Sequence, residues 1–210
     1  MANTSSLKLF SYWRSSCSYR VRIVLNIKRL DYEYIGVNLL KNEQTTLENI
    51  KRNPMKLVPT LQVQDLYIPQ SMAIMEYLDE VYPEVPLLPK DPFSKAVVRA
   101  MCMIFVADTQ PLQNLKVLNT LEANKKKEWA VKVISDGLEA FEKSAEVYSK
   151  RYSFGDSLTL ADACLVPQVY NAIRFEIDIL QYPTISKIVD NLNAVPEVEK
   201  AAPQHMPDAQ

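Results

Sequence analysis

The chain has 210 residues, of which 48% are hydrophobic and 23% charged, proportions typical of a globular protein rather than a disordered or fibrous one. Its 24 basic and 25 acidic side chains give a net charge of -1, which excludes a general electrostatic attraction to nucleic acid or to an anionic membrane. The length fits one large domain or two small ones.

The first predicted elements alternate between strand and helix. Residues 7–12 alternate as a strand, and Val21, Val24 and Leu25 then follow helical spacing. Residues 32–40 again have strand composition. Joining two strands through a helix makes a β-α-β unit with a parallel pair of strands.

A hairpin and a further helix follow this unit. We predict a short helix over residues 44–52, stopped by Asn53-Pro54, and two strands joined by a turn at Gln64-Asp65. Ser71 is predicted to cap a helix that ends near residue 82. This order of elements is that of a thioredoxin-like domain.

Prolines mark a domain boundary, and helical patterns follow it. Four prolines lie between residues 83 and 92 and predict a stiff, extended connector. Beyond it, Asp91-Pro92 predicts one helix start, a three-to-four-residue apolar repeat over 131–148 predicts a long helix, and Thr159 with Asp162 forms a capping box. We therefore expect an α/β thioredoxin-like domain at 7–83, a linker at 84–91 and an all-α helical-bundle domain at 92–203.

The rare residues exclude several kinds of site. Only three glycines occur, too dispersed for a phosphate-binding loop, and the only histidine, His205, lies near the C-terminus, where chains are usually mobile. Three distant cysteines without a Cys-x-x-Cys pair argue against a disulfide framework or a zinc site. Residues 1–7 do not resemble a signal peptide, and the longest uncharged apolar stretch, 100–107, is too short for a membrane span. We expect a cytoplasmic protein without a metal, a membrane or a nucleic-acid partner.

The loop between the first strand and the first helix is the first candidate site. It contains Arg14, Ser15, Ser16 and Cys17, so hydroxyl and thiol groups gather where free helix amides favour an anion. The anion could be a thiolate of Cys17 itself or of a small thiol bound beside the serines. Serines that only cap the helix, with Cys17 as a small buried residue, are an equally good explanation of the loop alone.

Two further segments fit a peptide-like ligand. A cis bond at Val58-Pro59 would expose the Val58 amide and carbonyl for strand-like pairing, although a trans, strand-opening proline is the simpler alternative. Gln70-Ser71 opens a helix, where a hydroxyl and free amides could hold a carboxylate, although for this segment alone a plain cap is the better explanation.

Taken in this order, the segments resemble the zeta class of glutathione transferases over nearly the whole chain, residues 7–207. The resemblance is carried by residues 12–23, 53–61, 70–74, 110–115 and 155–162. Val-Pro, Gln-Ser and the capping box are widespread among glutathione transferases. The Ser-Ser-Cys segment followed by Arg-Val-Arg-Ile, together with Gln-Pro-Leu-Gln-Asn, is class-specific, whereas Tyr19 stands where tryptophan or histidine is more familiar.

The resemblance implies a homodimeric, cytosolic, glutathione-dependent enzyme that isomerises a cis double bond to trans, converting maleylacetoacetate to fumarylacetoacetate in tyrosine and phenylalanine breakdown, with side activity on small α-halo acids. It implies that Ser15, assisted by Ser16 and beside Cys17, stabilises the glutathione thiolate. The residues implied to hold glutathione are Gln44, Val58, Pro59, Gln70, Ser71, Gln110 and Asn114. Arg14 and Arg174 are the candidates for the two substrate carboxylates, because a guanidinium grips a carboxylate at two points.

Two other functions stay open. One is a thiol transferase in which Cys17 attacks and forms a mixed disulfide with glutathione. The other is a non-catalytic interaction module that keeps the transferase fold, since a fold does not fix a function. The serines before Cys17 and the absence of a resolving cysteine favour the isomerase, and the joint presence of Ser15, Val58-Pro59 and Gln70-Ser71 argues against the module.

Overall fold

The computed structural model describes residues 7–210. Their contacts form two units, residues 7–85 together with Pro196–Gln210, and Pro86–Val195. The strands are β1 (Leu7–Ser11), β2 (Tyr32–Gly36), β3 (Thr60–Val63) and β4 (Leu66–Pro69). The helices are α1 (Ser16–Ile27), α2 (Leu47–Arg52), α3 (Ser71–Val81), α4 (Pro92–Met103), α5 (Gln110–Gln113), α6 (Leu115–Leu118), α7 (Lys126–Tyr148), α8 (Leu160–Arg174), α9 (Pro183–Asn193) and α10 (Pro196–Lys200).

The first unit contains one four-stranded sheet in the order β2-β1-β3-β4. β1 pairs parallel to β2 and antiparallel to β3, and β3 pairs antiparallel to β4. The parallel pair joined by α1 confirms the predicted β-α-β unit. The predicted hairpin is also confirmed, and Gln64 adopts a positive φ of 55° in its two-residue turn.

Two predicted elements are shorter in the structure. β2 ends at Gly36 because Asn38 accepts hydrogen bonds from the amides of Leu40 and Lys41 and so turns the chain into a short 3-10 helix. The helix predicted over 44–52 begins only at Leu47, since Thr46 caps it by accepting from the Asn49 amide. A separate 3-10 turn, Glu43–Thr45, precedes this cap.

The second unit is helical, and within Pro86–Val195 the structure contains no strand longer than the single bridge between Ser149 and Gly155. α4 begins as predicted, because Asp91 accepts from the Ser94 amide at 2.8 Å and Pro92 occupies the first turn. In the core of the second unit, the rings of Phe105 and Phe141 stack with their centres 4.7 Å apart.

The predicted capping box is present at the start of α8. The buried Asp162 carboxylate accepts from the amides of Thr159, at 2.7 Å, and Ser153, at 2.8 Å. Burial raises the pKa of Asp162, and the same hydrogen bonds oppose that rise by stabilising the charged form. Pro167 lies inside α8, which is continuous from residue 160 to residue 174.

The C-terminal residues pack on the first unit. α10 contacts α1, and Ala201 and Ala202 are buried. The predicted helical domain, 92–203, therefore extends beyond the contact boundary at Val195. The domain bounds 7–83 and 92–203 stay a prediction, because a unit defined by contacts is not shown to fold on its own.

Candidate functional site

The loop between β1 and α1 places Ser15 at the N-terminus of α1. Ser15 has extended backbone angles and is the N-cap, and its Oγ accepts from the Ser18 amide at 3.2 Å. An accepting hydroxyl keeps its own proton for a further partner, so Ser15 can donate to an anion at this helix end. The Ser15 amide in turn donates to the carbonyl of Tyr12 at 2.9 Å, which closes the loop into a tight turn.

A buried arginine connects Cys17 to Ser71. Arg20 is 1% exposed, and its Nη1 donates to Cys17 Sγ at 3.8 Å and to Ser71 Oγ at 3.3 Å. Ser16 is buried, and Cys17 is half-buried. The structure thus joins the first and third predicted segments through the guanidinium of Arg20, which is not among the predicted site residues.

Gln70 and Ser71 occupy the start of α3. Gln70 is the N-cap with φ of 74° and makes no side-chain cap bond, whereas Ser71 is the first helical residue and is buried. The prediction that Ser71 caps α3 is therefore wrong by one residue. The reason is that its hydroxyl faces Arg20, while the left-handed backbone of Gln70 makes the turn into the helix.

The bond between Val58 and Pro59 is cis, and Pro59 directly precedes β3. The buried Asn53 organises the preceding turn, since it donates to the Leu57 carbonyl at 2.9 Å and accepts from the Met55 amide at 3.0 Å. Val58 packs with Phe10, Tyr12 and Val37.

The side-chain oxygen of Gln44 tests whether the first unit fits a polar peptide. Its Oε1 is buried, and among residues 7–210 no donor lies within hydrogen-bond distance of it. An unpaired buried acceptor is costly, and an amide N–H of a bound peptide would satisfy it. With the Ser15 and Ser71 hydroxyls, this acceptor makes the first unit suitable for a molecule that carries a thiolate, a carboxylate and peptide amides.

The backbone before Ser15 is held by Arg22 and Asp208. Arg22 is fully buried and donates to the carbonyl of Tyr12 at 3.4 Å and of Trp13 at 3.0 Å. Asp208 accepts from the Trp13 amide at 3.2 Å and from the Tyr34 hydroxyl at 2.6 Å. Burial lowers the pKa of Arg22, and burial followed by the bond to Asp208 raises the pKa of Tyr34.

Sequence reasoning missed Arg20, Arg22 and Asp208. The signal for the arginines is present, because charged residues stand among the apolar residues of a helix that is buried on nearly all sides. Asp208 had no such signal, because its partners, Trp13 and Tyr34, lie far from it in sequence.

The remaining predicted site residues divide between the units. Arg14 lies in the first unit, half-buried, with its guanidinium 5.4 Å from the centre of the Trp13 ring. Three others lie in the second unit: Gln110 begins α5, Asn114 caps α6 by accepting from the Lys116 amide, and Arg174 ends α8. Arg174 is exposed and donates to Asn171 Oδ1 at 3.4 Å.

Metal and membrane features are not found in the described part of the chain. Residues 7–210 contain no cluster of three or more histidine, cysteine, aspartate or glutamate side chains placed to hold a metal ion. No helix within the same residues is both long and apolar enough to span a bilayer.

Comparison with known proteins identifies the family. Residues 5–80 match the family of the glutathione S-transferase N-terminal domain, and residues 112–201 match that of the glutathione S-transferase C-terminal domain. The maleylacetoacetate isomerase of Dictyostelium discoideum is 47% identical over 209 residues, covering 96% of this chain and 95% of that protein. A zeta-class glutathione S-transferase of Euphorbia esula is 44% identical over 99% of this chain and 94% of its own length.

A solved structure agrees with these relatives. The maleylacetoacetate isomerase of Anaeromyxobacter dehalogenans 2CP-1, with dicarboxyethyl glutathione and citrate bound in its active site, superposes with a TM-score of 0.90. It is 42% identical, and the match covers 98% of each chain. The fold is therefore that of a glutathione transferase, with an N-terminal thioredoxin-like domain and a C-terminal helical domain. This chain belongs to the glutathione S-transferase family, within its zeta class.

Proposed function

We propose that the protein catalyses the glutathione-dependent cis-trans isomerisation of maleylacetoacetate to fumarylacetoacetate. The enzyme uses glutathione as its cofactor, as its family does. The observation that carries the proposal is Ser15, a helix N-cap whose hydroxyl keeps a donor at the positive end of α1. Relatives that share this chain nearly end to end are maleylacetoacetate isomerases.

Glutathione, when bound, supplies a thiolate that adds reversibly to the conjugated alkene, so that the former double bond can rotate before the thiolate leaves. The protein must then stabilise a negatively charged sulfur and hold the tripeptide still. Ser15 is placed to donate to the sulfur, with the helix dipole adding a favourable field. Ser16 assists as a second hydroxyl in the same buried turn.

The tripeptide is assigned to the other polar groups of the first unit. Ser71 and the amides at the start of α3 would hold the γ-glutamyl carboxylate, with Gln70 beside them. The backbone of Val58, before cis Pro59, would pair with the cysteinyl amide and carbonyl, and Gln44 Oε1 would accept a peptide N–H. Gln110 and Asn114 are proposed to contribute from the second unit.

Two arginines are proposed for the substrate carboxylates. Arg14 lies one residue before Ser15, and its stacking on Trp13 restricts the guanidinium without using its donors. Arg174 ends α8 and is exposed, so its guanidinium is accessible to a carboxylate. The Anaeromyxobacter enzyme binds dicarboxyethyl glutathione and citrate in its active site, which supports a site that takes both glutathione and carboxylates.

Cys17 supports a second candidate function. A guanidinium within hydrogen-bond distance of its sulfur favours a thiolate, so Cys17 could attack a disulfide of glutathione and release the other thiol. The purified protein tests both functions. Isomerisation of maleylacetone that requires glutathione supports the first, and disulfide reduction that disappears in Cys17→Ala supports the second.

The proposal includes a setting and a side activity. We infer a cytoplasmic homodimer that acts in tyrosine and phenylalanine breakdown, because the resemblance to the zeta class implies this setting. Small α-halo acids would be side substrates, since the bound thiolate can displace a halide. Halide release that depends on glutathione would support that activity.

A further inference from the structure

We propose that the C-terminal segment, Pro196–Gln210, positions the catalytic loop through Asp208, with the buried Arg22 as its counterpart. The catalytic loop is Tyr12–Ser15, between β1 and α1. The inference rests on the proposed function for its effect on rate, but its structural part concerns this chain alone.

Asp208 holds the loop at its backbone. One carboxylate oxygen accepts from the Trp13 amide at 3.2 Å, and the other accepts from the Tyr34 hydroxyl at 2.6 Å. Tyr34 lies on β2, so the carboxylate, 195 residues after Trp13 in sequence, links the loop to the sheet. A carboxylate offers a separate acceptor oxygen to each of the two donors, whereas the amide of asparagine has one acceptor oxygen and an NH2 group that only donates.

The sheet leaves room for this side chain. A Cβ atom at Gly36 would lie 3.4 Å from the Asp208 Cβ and Oδ2, which is van der Waals contact. Gly36 ends β2, directly opposite Ser11 at the end of β1. Asp208 therefore packs against the end of the strand that also carries Tyr34.

Arg22 fixes the same backbone from the other side. Its Nη2 donates to the Trp13 carbonyl at 3.0 Å and its Nη1 to the Tyr12 carbonyl at 3.4 Å, while its Nε donates to the Ala201 carbonyl at 2.9 Å. The last bond ends in the C-terminal segment. Both polar groups of the Trp13 backbone are thus bound by residues that depend on that segment.

The consequence falls on Ser15. Its amide donates to the Tyr12 carbonyl, so a shift of Tyr12 or Trp13 moves the hydroxyl proposed to donate to the glutathione sulfur. Displacements of about 1 Å can cost about 100-fold in rate. Asp208 and Arg22 are therefore positioning residues that act through the loop.

Three variants test this inference: Asp208→Ala, Asp208→Asn and the control Glu199→Ala. Glu199 lies in the same segment, on α10, and its exposed carboxylate bonds only within that segment, to His205 and Gln204. Hydrogen exchange at the Trp13 amide reports the loop without any ligand. The ultraviolet absorbance of bound glutathione against pH reports its ionisation, and glutathione-dependent isomerisation of maleylacetone reports kcat.

We expect Asp208→Ala to speed Trp13 exchange, to raise the pH at which bound glutathione ionises, and to lower kcat by about 10- to 100-fold with a smaller change in KM. Asp208→Asn keeps one acceptor oxygen and replaces the other with an NH2 donor, so intermediate values are expected. Glu199→Ala should match the parent in all three measurements.

The inference is overturned if Asp208→Ala has the Trp13 exchange rate and the ionisation midpoint of the parent. Should that variant fail to fold, Asp208→Asn decides in the same way, since parent values in both readouts would again overturn it. A parent that binds glutathione but does not isomerise maleylacetone contradicts the proposed function, while the exchange and ionisation measurements still decide the role of Asp208.

Discussion

Two neighbouring arginines on α1 have separate tasks. Arg20 faces Cys17 and Ser71, the side of the helix assigned to glutathione, whereas Arg22 faces the loop backbone. Both are buried, which costs free energy unless the guanidinium donors are matched by acceptors. Helix α1 therefore contacts the proposed glutathione site through Arg20 and the backbone of the loop before Ser15 through Arg22.

Ser15 and Cys17 should differ sharply when each is changed to alanine. Ser15→Ala removes the donor proposed for the thiolate and should lower the isomerisation rate by about 10²–10³-fold. It also removes the cap, at a cost of about 1 kcal/mol in stability. Cys17→Ala should cost much less, because in this mechanism the sulfur that attacks belongs to glutathione.

Kinetics with maleylacetone, together with thermal unfolding, separates the two effects of Ser15→Ala. A large loss in Cys17→Ala with a near-normal rate in Ser15→Ala would reverse the assigned roles. Robust disulfide reduction by the parent that is absent in Cys17→Ala would instead support the thiol transferase.

Ser71→Ala should weaken glutathione binding. The hydroxyl is proposed to bond a carboxylate, and a hydrogen bond to a charged group contributes about 1.5–3 kcal/mol, or about 10- to 100-fold in Kd. Isothermal titration measures this directly. Ser144→Ala is the control, since its hydroxyl bonds only to the Ala140 carbonyl of its own helix. An unchanged Kd in Ser71→Ala would remove Ser71 from the site.

At the level of elements, polar anchors decide where helices begin and how closely they pack. The capping box ties α8 to the turn before it through one buried carboxylate. The contact between α7 and the π-helical turn Ile104–Thr109 depends instead on a missing side chain. A Cβ at Gly137 would lie 2.1 Å from Thr109 Oγ1.

Asp162→Ala should destabilise the protein strongly. It leaves the amides of Ser153 and Thr159 buried without their acceptor, and each such loss costs about 1–3 kcal/mol. Urea denaturation measures the free energy of unfolding. The control is Asp178→Ala, whose carboxylate caps an exposed 3-10 turn at Leu180 and should cost less than about 1 kcal/mol. Equal losses in the two variants would contradict the buried capping box.

Gly137→Ala should destabilise by about 1–3 kcal/mol, because the methyl group overlaps a β-branched side chain that has little freedom to move. Thr109→Ala removes the overlapping atoms, so the double variant should lose less than the sum of the single ones. A double-mutant cycle from urea denaturation measures that coupling. Strict additivity would show that the two residues do not meet.

The elements of this fold were largely predictable, and the longer-range contacts were not. Alternation, helical spacing and caps are local properties, so β1, the hairpin and the start of α8 follow from short segments. The position of Ser71 inside α3 depends on Arg20, which lies 51 residues earlier. The role of Asp208 depends on Trp13 and Tyr34, far away in sequence, and no local pattern indicates it.

At the scale of the whole molecule, the first unit is built from two segments that are far apart in the sequence. The second unit, Pro86–Val195, is inserted between the two parts of the first. Exposed apolar residues remain on the surface of the first unit, among them Leu66, which is 74% exposed, and Val81, which is 47% exposed. Single exposed apolar residues are common on monomers, but apolar residues that lie together on a surface can also form a subunit interface.

We expect a two-fold homodimer in solution. Sedimentation equilibrium at micromolar concentration should give a mass near twice 24.0 kDa. A dilution series then gives the dissociation constant of the dimer. A mass of one chain at micromolar concentration would contradict the proposed assembly.

The split first unit also has a consequence for biosynthesis. During translation, all strands of the sheet leave the ribosome early, but Ala201 and Asp208 are made only after the whole inserted unit. Until then Arg22 lacks the Ala201 acceptor and the Trp13 amide lacks its carboxylate. The nascent chain can therefore form its helical unit before its catalytic loop is supported, and a prematurely released chain would carry the serines of the site without the support that orients them.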